Sequence, residues 1–135
     1  MGYDTDFALW AAEQAELLEK HETALDWENL AEEISSLGKS QRNELNSRLR
    51  ILLAHMLKTD YQPEMCTPSW KATILAQRHD IADLLETSPS LCHELDARIR
   101  AQYRRARQLA EAETGIGSLP DECPYTTEQV LAQGA

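Results

Sequence analysis

Between Asp26 and Gln62 the chain carries a row of side chains suited to acid–base or anion chemistry: Glu33, Gln41, Glu44, Arg48 and His55. At about 100° per residue these five fall within roughly 80° of one another on a helix, along the edge of its apolar stripe. Glu33 is the candidate base in this row. His55 gains weight from its surroundings. If the segments on either side of residues 63 and 64 form an antiparallel helical hairpin, His55 faces Ala72 and Thr73 and lies near Trp70 and Gln77, while Arg48 faces His79, Asp80 and Asp83. A pocket lined by His55, Lys58, Thr73 and Gln77, with Trp70 as one wall, would suit a small polar ligand. The competing reading, a satisfied half-buried histidine beside an Arg48–Asp83 ion pair, is the one favoured.

Spacing argues against metal chemistry. Glu33, Glu44 and His55 stand nearly in line, but each step of eleven residues spans ~16.5 Å, too far for two of them to share one ion. The Glu-x-x-His pair of di-metal bundles and the HExxH helix are both missing, so no metal and no cofactor is expected. Nor is there a GxSxG turn or a Walker glycine loop. Cys66, ahead of a helix N-terminus, and Cys123, in the DECPY loop, read as ordinary thiols. No catalytic residue is assigned, and the sequence leaves open whether the protein is an enzyme.

The elements that must position these groups are helical. Leu30, Ile34, Leu37, Leu45, Leu49, Leu52 and Met56 step by threes and fours, predicting one buried stripe along residues 26–62. Trp27 joins that stripe as a core anchor. Gly38 is a potential break, but the eleven-residue recurrence of Leu30, Gln41 and Leu52 favours a continuous helix. Asp4 or Thr5 should cap a first helix ending near residues 20–22, with Phe7, Trp10, Ala11, Leu17 and Leu18 buried, and Asp26 should cap the second. Thr67 followed by Pro68 starts the third helix. Ser88 followed by Pro89 ends that helix and caps a fourth, which runs to Thr114, where Gly115 and Gly117 stop it. Thr126 and Gln129 have the spacing of a capping box for a short last helix through about Gln133. Gln14, Gln41 and Gln77 fall on apolar seams and should bond to one another or to backbone, because an unsatisfied buried amide costs on the order of 1–3 kcal/mol.

A chain of 135 residues with 42% apolar and 27% charged residues and a single valine gives little strand signal. The expected fold is all-α: one domain over residues 1–135, a helix bundle of four main helices and a short C-terminal helix. The formal charge of −10 argues against nucleic acid and anionic membranes as partners. Charge is uneven: residues 1–33 hold ten acids and one lysine, whereas residues 98–107 hold five arginines and no acid. The pairs Glu94–Arg98, Asp96–Arg100 and Arg107–Glu111 are spaced to satisfy much of that arginine run locally, within the protein or its oligomer. Three widely spaced cysteines, an acidic N-terminus unlike a signal peptide and no apolar run of membrane length predict a cytoplasmic protein.

The blocks YDTDFALWAAEQAELL, DWENLAEEISSLGKSQRNEL, RLRILLAHMLKTDYQPE, SWKATILAQRHDI with LLETSPSL, and AEAETG with DECPYTTEQVL resemble the bacterial domain-of-unknown-function 29 family in order and spacing over nearly the whole chain. The resemblance implies an all-α bacterial cytoplasmic protein and no known activity. The family pattern includes residues matching Trp27, Glu28, Glu32, Glu33, His55, Lys58, Tyr61, Trp70, Gln77 and Arg78, and departs from this chain at Thr59 to Tyr61. Two functional expectations stand. One is a non-enzymatic protein–protein interaction module, self-associating or binding another protein. The other is a small-ligand-binding protein or enzyme with a polar site at His55, Lys58, Trp70, Thr73, Gln77 and Arg78.

Overall fold

The computed structural model describes residues 2–132, the Phe7 side chain excepted. The chain is all-α and forms a helix bundle with five α-helices among the described residues: α1 (Phe7–Glu19), α2 (Trp27–Tyr61), α3 (Pro68–Thr87), α4 (Leu95–Thr114) and α5 (Thr127–Leu131). Two compact units, Met1–Ser40 and Gln41–Ala135, divide it. Helix α2 runs unbroken for 35 residues through Gly38, as the eleven-residue recurrence predicted.

The first unit is a helical hairpin. Residues 3–5 form a turn in which the Thr5 amide donates to the Gly2 carbonyl, so neither Asp4 nor Thr5 caps α1. The cap is Asp6, whose carboxylate accepts from the Leu9 amide at 3.0 Å. The helix closes in a Schellman arrangement: the His21 amide donates to the Leu18 carbonyl and the Glu22 amide to the Leu17 carbonyl. His21 sits at φ 55°, in the left-handed region where glycine is usual.

Asp26 joins the two helices. Its carboxylate accepts from the Trp10 indole at 2.9 Å and the Asn29 side chain at 2.8 Å, and its own amide donates to Gln14 Oε1 at 2.8 Å. The Asn29 side-chain bond, and next that from Trp10, hold the Asp26 carboxyl below its usual range, and the Asn29 backbone amide completes the expected helix cap. Tyr3 packs edge-on against Trp10 and donates to Glu33. That carboxylate partner pushes the Tyr3 phenol up to about 12.

The predicted stripe continues differently in the two units. Leu45, Leu49, Leu52 and Met56 are buried, but Leu30 is only half-buried, Ile34 is 68% exposed, Leu37 67% and Trp27 65%, and on α1 Leu18 is exposed as well. The reason is a lack of covering layers: within the first unit α1 alone packs on α2. The expected burial of Phe7 lies outside the described residues.

The second unit holds the main core. Leu45, Leu49, Leu52, Leu53 and Leu57 of α2 meet Ile81 and Leu84 of α3, Leu95, Ile99, Tyr103, Ala106 and Ala110 of α4, and Val130 of α5. Each large side chain fully buried there is worth about 1.5–3 kcal/mol relative to exposure. The starts of α3 and α5 follow the sequence. Thr67 Oγ1 accepts from the Trp70 amide with Pro68 in the first turn, and Thr126 with Gln129 makes a complete capping box. Residues Pro89–Glu94 form a 3-10 turn rather than the start of the fourth helix, and the Ser88 hydroxyl donates to Gln41 Oε1 at 2.5 Å instead of capping. Gly115, at φ 77°, ends α4 as expected. The last helix stops at Leu131; the expected end at Gln133 lies outside the described residues. The loop between α4 and α5 is anchored by the Tyr103 hydroxyl donating to the Pro120 carbonyl at 2.6 Å.

Candidate functional site

Helices α2 and α3 form the expected hairpin, and its facing positions can be tested on Arg48. The guanidinium donates to Asp80 at 2.9 Å and to Gln77 Oε1 at 3.4 Å, and it pairs with Glu44 one turn earlier. The partner across the hairpin is therefore Asp80 rather than Asp83, one of the three positions the register allowed.

The polar contacts of the candidate site residues lead in different directions: Lys58 and Trp70 toward Glu113, Arg78 toward α5, Gln77 toward Arg48 and His55 toward its own helix. Lys58 is only 5% exposed; its ammonium lies 2.5 Å from Glu113 of α4 and 4.7 Å from the centre of the Trp70 ring. The aromatic face and the carboxylate together replace the water that burial removes. Arg78 turns the other way. It donates to the backbone carbonyls of Val130 at 3.0 Å and Gln129 at 3.1 Å, so it ties α5 to α3. Burial pulls the Arg78 guanidinium below its ordinary value, opposed by the nearby Asp60 carboxylate. Gln77 is engaged with Arg48.

His55 is half-buried, and its Nδ1 lies 2.9 Å from the Ile51 carbonyl of its own helix. A carbonyl can only accept, so Nδ1 carries the proton and Nε2 the lone pair in the neutral ring. Thr73 is half-buried on α3. Glu33, the candidate base, accepts the Tyr3 hydroxyl.

Two polar groups escaped the sequence reading. Glu113, the partner of Lys58, lies 55 residues away and carries no local signal. Tyr125 donates to Asp60 at 2.5 Å, and burial first, then that carboxylate, raise its phenol well above the ordinary range. Of the three seam glutamines Gln14 accepts from backbone as expected, whereas Gln41 and Gln77 accept from the Ser88 and Arg48 side chains rather than from one another or backbone. Burial pushes the Cys123 thiol up, away from the thiolate a nucleophile needs. Among the described residues no three His, Cys, Asp or Glu side chains are grouped to hold a metal ion.

On α4 the expected ion pairs form. Arg98 meets Glu94 at 2.6 Å, Arg100 meets Asp96, and Arg107 lies 3.6 Å from Glu111 and 2.9 Å from Asp121. The Arg98 hydrogen bond holds the Glu94 carboxyl below its usual range. Arg104 and Arg105 are exposed.

The first unit presents an apolar groove that the sequence reading assigned to the core. It lies between α1 and the first turns of α2, has a volume of about 290 Å³, and has Leu18, Ile34 and Leu37 on its walls. Its signal in the sequence was the apolar stripe itself.

Fold and site together define a small all-α helix bundle in which His55, Lys58, Gln77 and Arg78 are bonded within the chain. The chain belongs to the family described as domain of unknown function DUF29, which matches residues 2–134. No curated protein and no solved structure matches it. Among the described residues no helix is long and apolar enough to cross a membrane.

Proposed function

We propose that the protein is a non-enzymatic protein–protein interaction module that meets its partner through the first unit. The observation that carries this reading is the placement of exposed apolar side chains. Leu9, Leu18, Trp27, Ile34 and Leu37, five of the eight large apolar side chains exposed among the described residues, fall within the first forty positions. Leu18, Ile34 and Leu37 share one groove, and exposed apolar surface gathered in this way is the usual mark of a binding face.

The alternative, a small-ligand site or enzyme around His55, Lys58, Trp70, Thr73, Gln77 and Arg78, draws less support. Lys58, Gln77 and Arg78 already spend their polar groups on Glu113, Arg48 and the end of α5. Three free thiols fit the reducing cytoplasm of a bacterial cell.

The test is site-specific photo-crosslinking in the native host, with the reactive amino acid at Leu37 of the full chain. A discrete protein adduct at Leu37, missing from a control labelled at Glu86 on α3, is the expected result. If Leu37 yields no protein adduct and the purified chain stays monomeric at high concentration, the interaction reading fails.

A further inference from the structure

We propose that the groove of the first unit receives a cationic amphipathic helix from another protein, an inference that rests on the interaction reading above and names the chemistry of its partner.

The groove is built from two helices only. Trp10 and Gln14 form its floor and are the only buried side chains of this unit among the described residues; Leu18 on one wall and Ile34 and Leu37 on the other remain open to solvent. A two-helix layer of this length buries too little to be self-sufficient. A third helix laid along it, with apolar side chains at helical spacing, would cover the open walls as in other helix-in-groove complexes.

Charge selects which helix. The unit Met1–Ser40 carries ten carboxylates against Lys20 and Lys39, a formal −8, whereas the remaining 95 residues carry 13 acids against 11 bases, or −2. Glu33 lies within the groove lining itself. An incoming segment must therefore pair an apolar stripe with lysines or arginines on its flanks. A second copy docking through the same face would set −8 against −8, and the basic helix α4 of a second copy offers arginines but keeps Ile99, Tyr103 and Ala106 buried in its own core.

The probes are two 18-residue helical peptides of identical apolar spacing, one of leucine and lysine and the other of leucine and glutamate, titrated against the full chain. The leucine–lysine peptide should bind. It should lose about tenfold in affinity, roughly 1.4 kcal/mol, against the double variant Ile34→Ser, Leu37→Ser, which leaves charge unchanged. Both positions are solvent-exposed, so the variant should fold; circular dichroism checks this, and Leu18→Ser on the opposite wall supplies a second variant. Equal binding to the native chain and the serine variants means attraction by charge alone and overturns the proposal. Comparable binding of the leucine–glutamate peptide overturns it as well, and so does a groove filled by a second copy. If the peptides fail while the Leu37 crosslink still captures a protein, the partner chemistry is wrong and the interaction reading survives.

Discussion

Lys58 and Glu113 lie 55 residues apart in sequence and 2.5 Å apart in space, the one buried and the other at the edge of solvent. The pair joins the C-terminal turn of α2 to the C-terminal turn of α4. Removing the carboxylate strands a buried ammonium that, among the described residues, the Trp70 ring would still face. Glu113→Ala should therefore cost about 1–3 kcal/mol, discounted from a fully buried pair because Glu113 is partly solvated. Adding Lys58→Met should restore most of the loss. Urea unfolding followed by helical circular dichroism measures both, and a neutral Glu113→Ala would show that the ammonium is satisfied without it.

His21 predicts a gain. Its backbone occupies the left-handed position of a Schellman cap, where a side chain costs energy that glycine avoids. His21→Gly should stabilise the end of α1 by about 0.5–1 kcal/mol. Slower amide hydrogen exchange at Glu19 and Lys20 would register it; faster exchange would mean that the imidazole contributes more than the backbone strain removes.

Asp26 sets a pH dependence. Its carboxyl is held below the usual range by Asn29 and Trp10. A carboxylate lowered in the folded state contributes stability that is fully present above its unfolded value, near about 3.9, and that fades as pH falls through the folded value. Asp26→Asn should melt lower than the native chain at pH 7. That gap should narrow as pH drops below about 4. A gap independent of pH would assign the effect to lost shape rather than lost charge.

Arg78 holds the shortest helix. Its bonds to the Val130 and Gln129 carbonyls satisfy groups at the end of a five-residue helix that cannot stand alone. Arg78→Met should free that end at a cost of about 1–2 kcal/mol. The Val130 and Leu131 amides should then exchange faster while those of α4 keep their protection. Equal loosening of both helices would make Arg78 a support of the whole core.

Local chemistry was the most legible layer. The Thr67–Pro68 start, the Thr126–Gln129 capping box and the stop at Gly115 each depend on residues within four positions of one another, so the sequence states them directly. The hairpin register was legible too, because rise per residue fixes which positions face. It brought Arg48 to Asp80. Burial was less legible. An apolar stripe records which side of a helix avoids water, not whether another layer covers it, and Ile34, Leu37 and Trp27 belong to the uncovered part. The candidate site dispersed for a related reason. Lys58 and Arg78 lie on α2 and α3, but their partners, Glu113 and the α5 carbonyls, come from distant segments that no periodicity links to them.

The concentration of carboxylates on the first forty residues also has a kinetic side. A cationic molecule approaching the chain meets a directional field rather than a uniform one, so its rate of arrival should fall steeply as salt rises toward physiological strength, where the Debye length shrinks to about 8 Å. Its rate of departure, governed by apolar contact, should change little. Ionic strength would thus tune how often encounters occur without altering how long each one lasts.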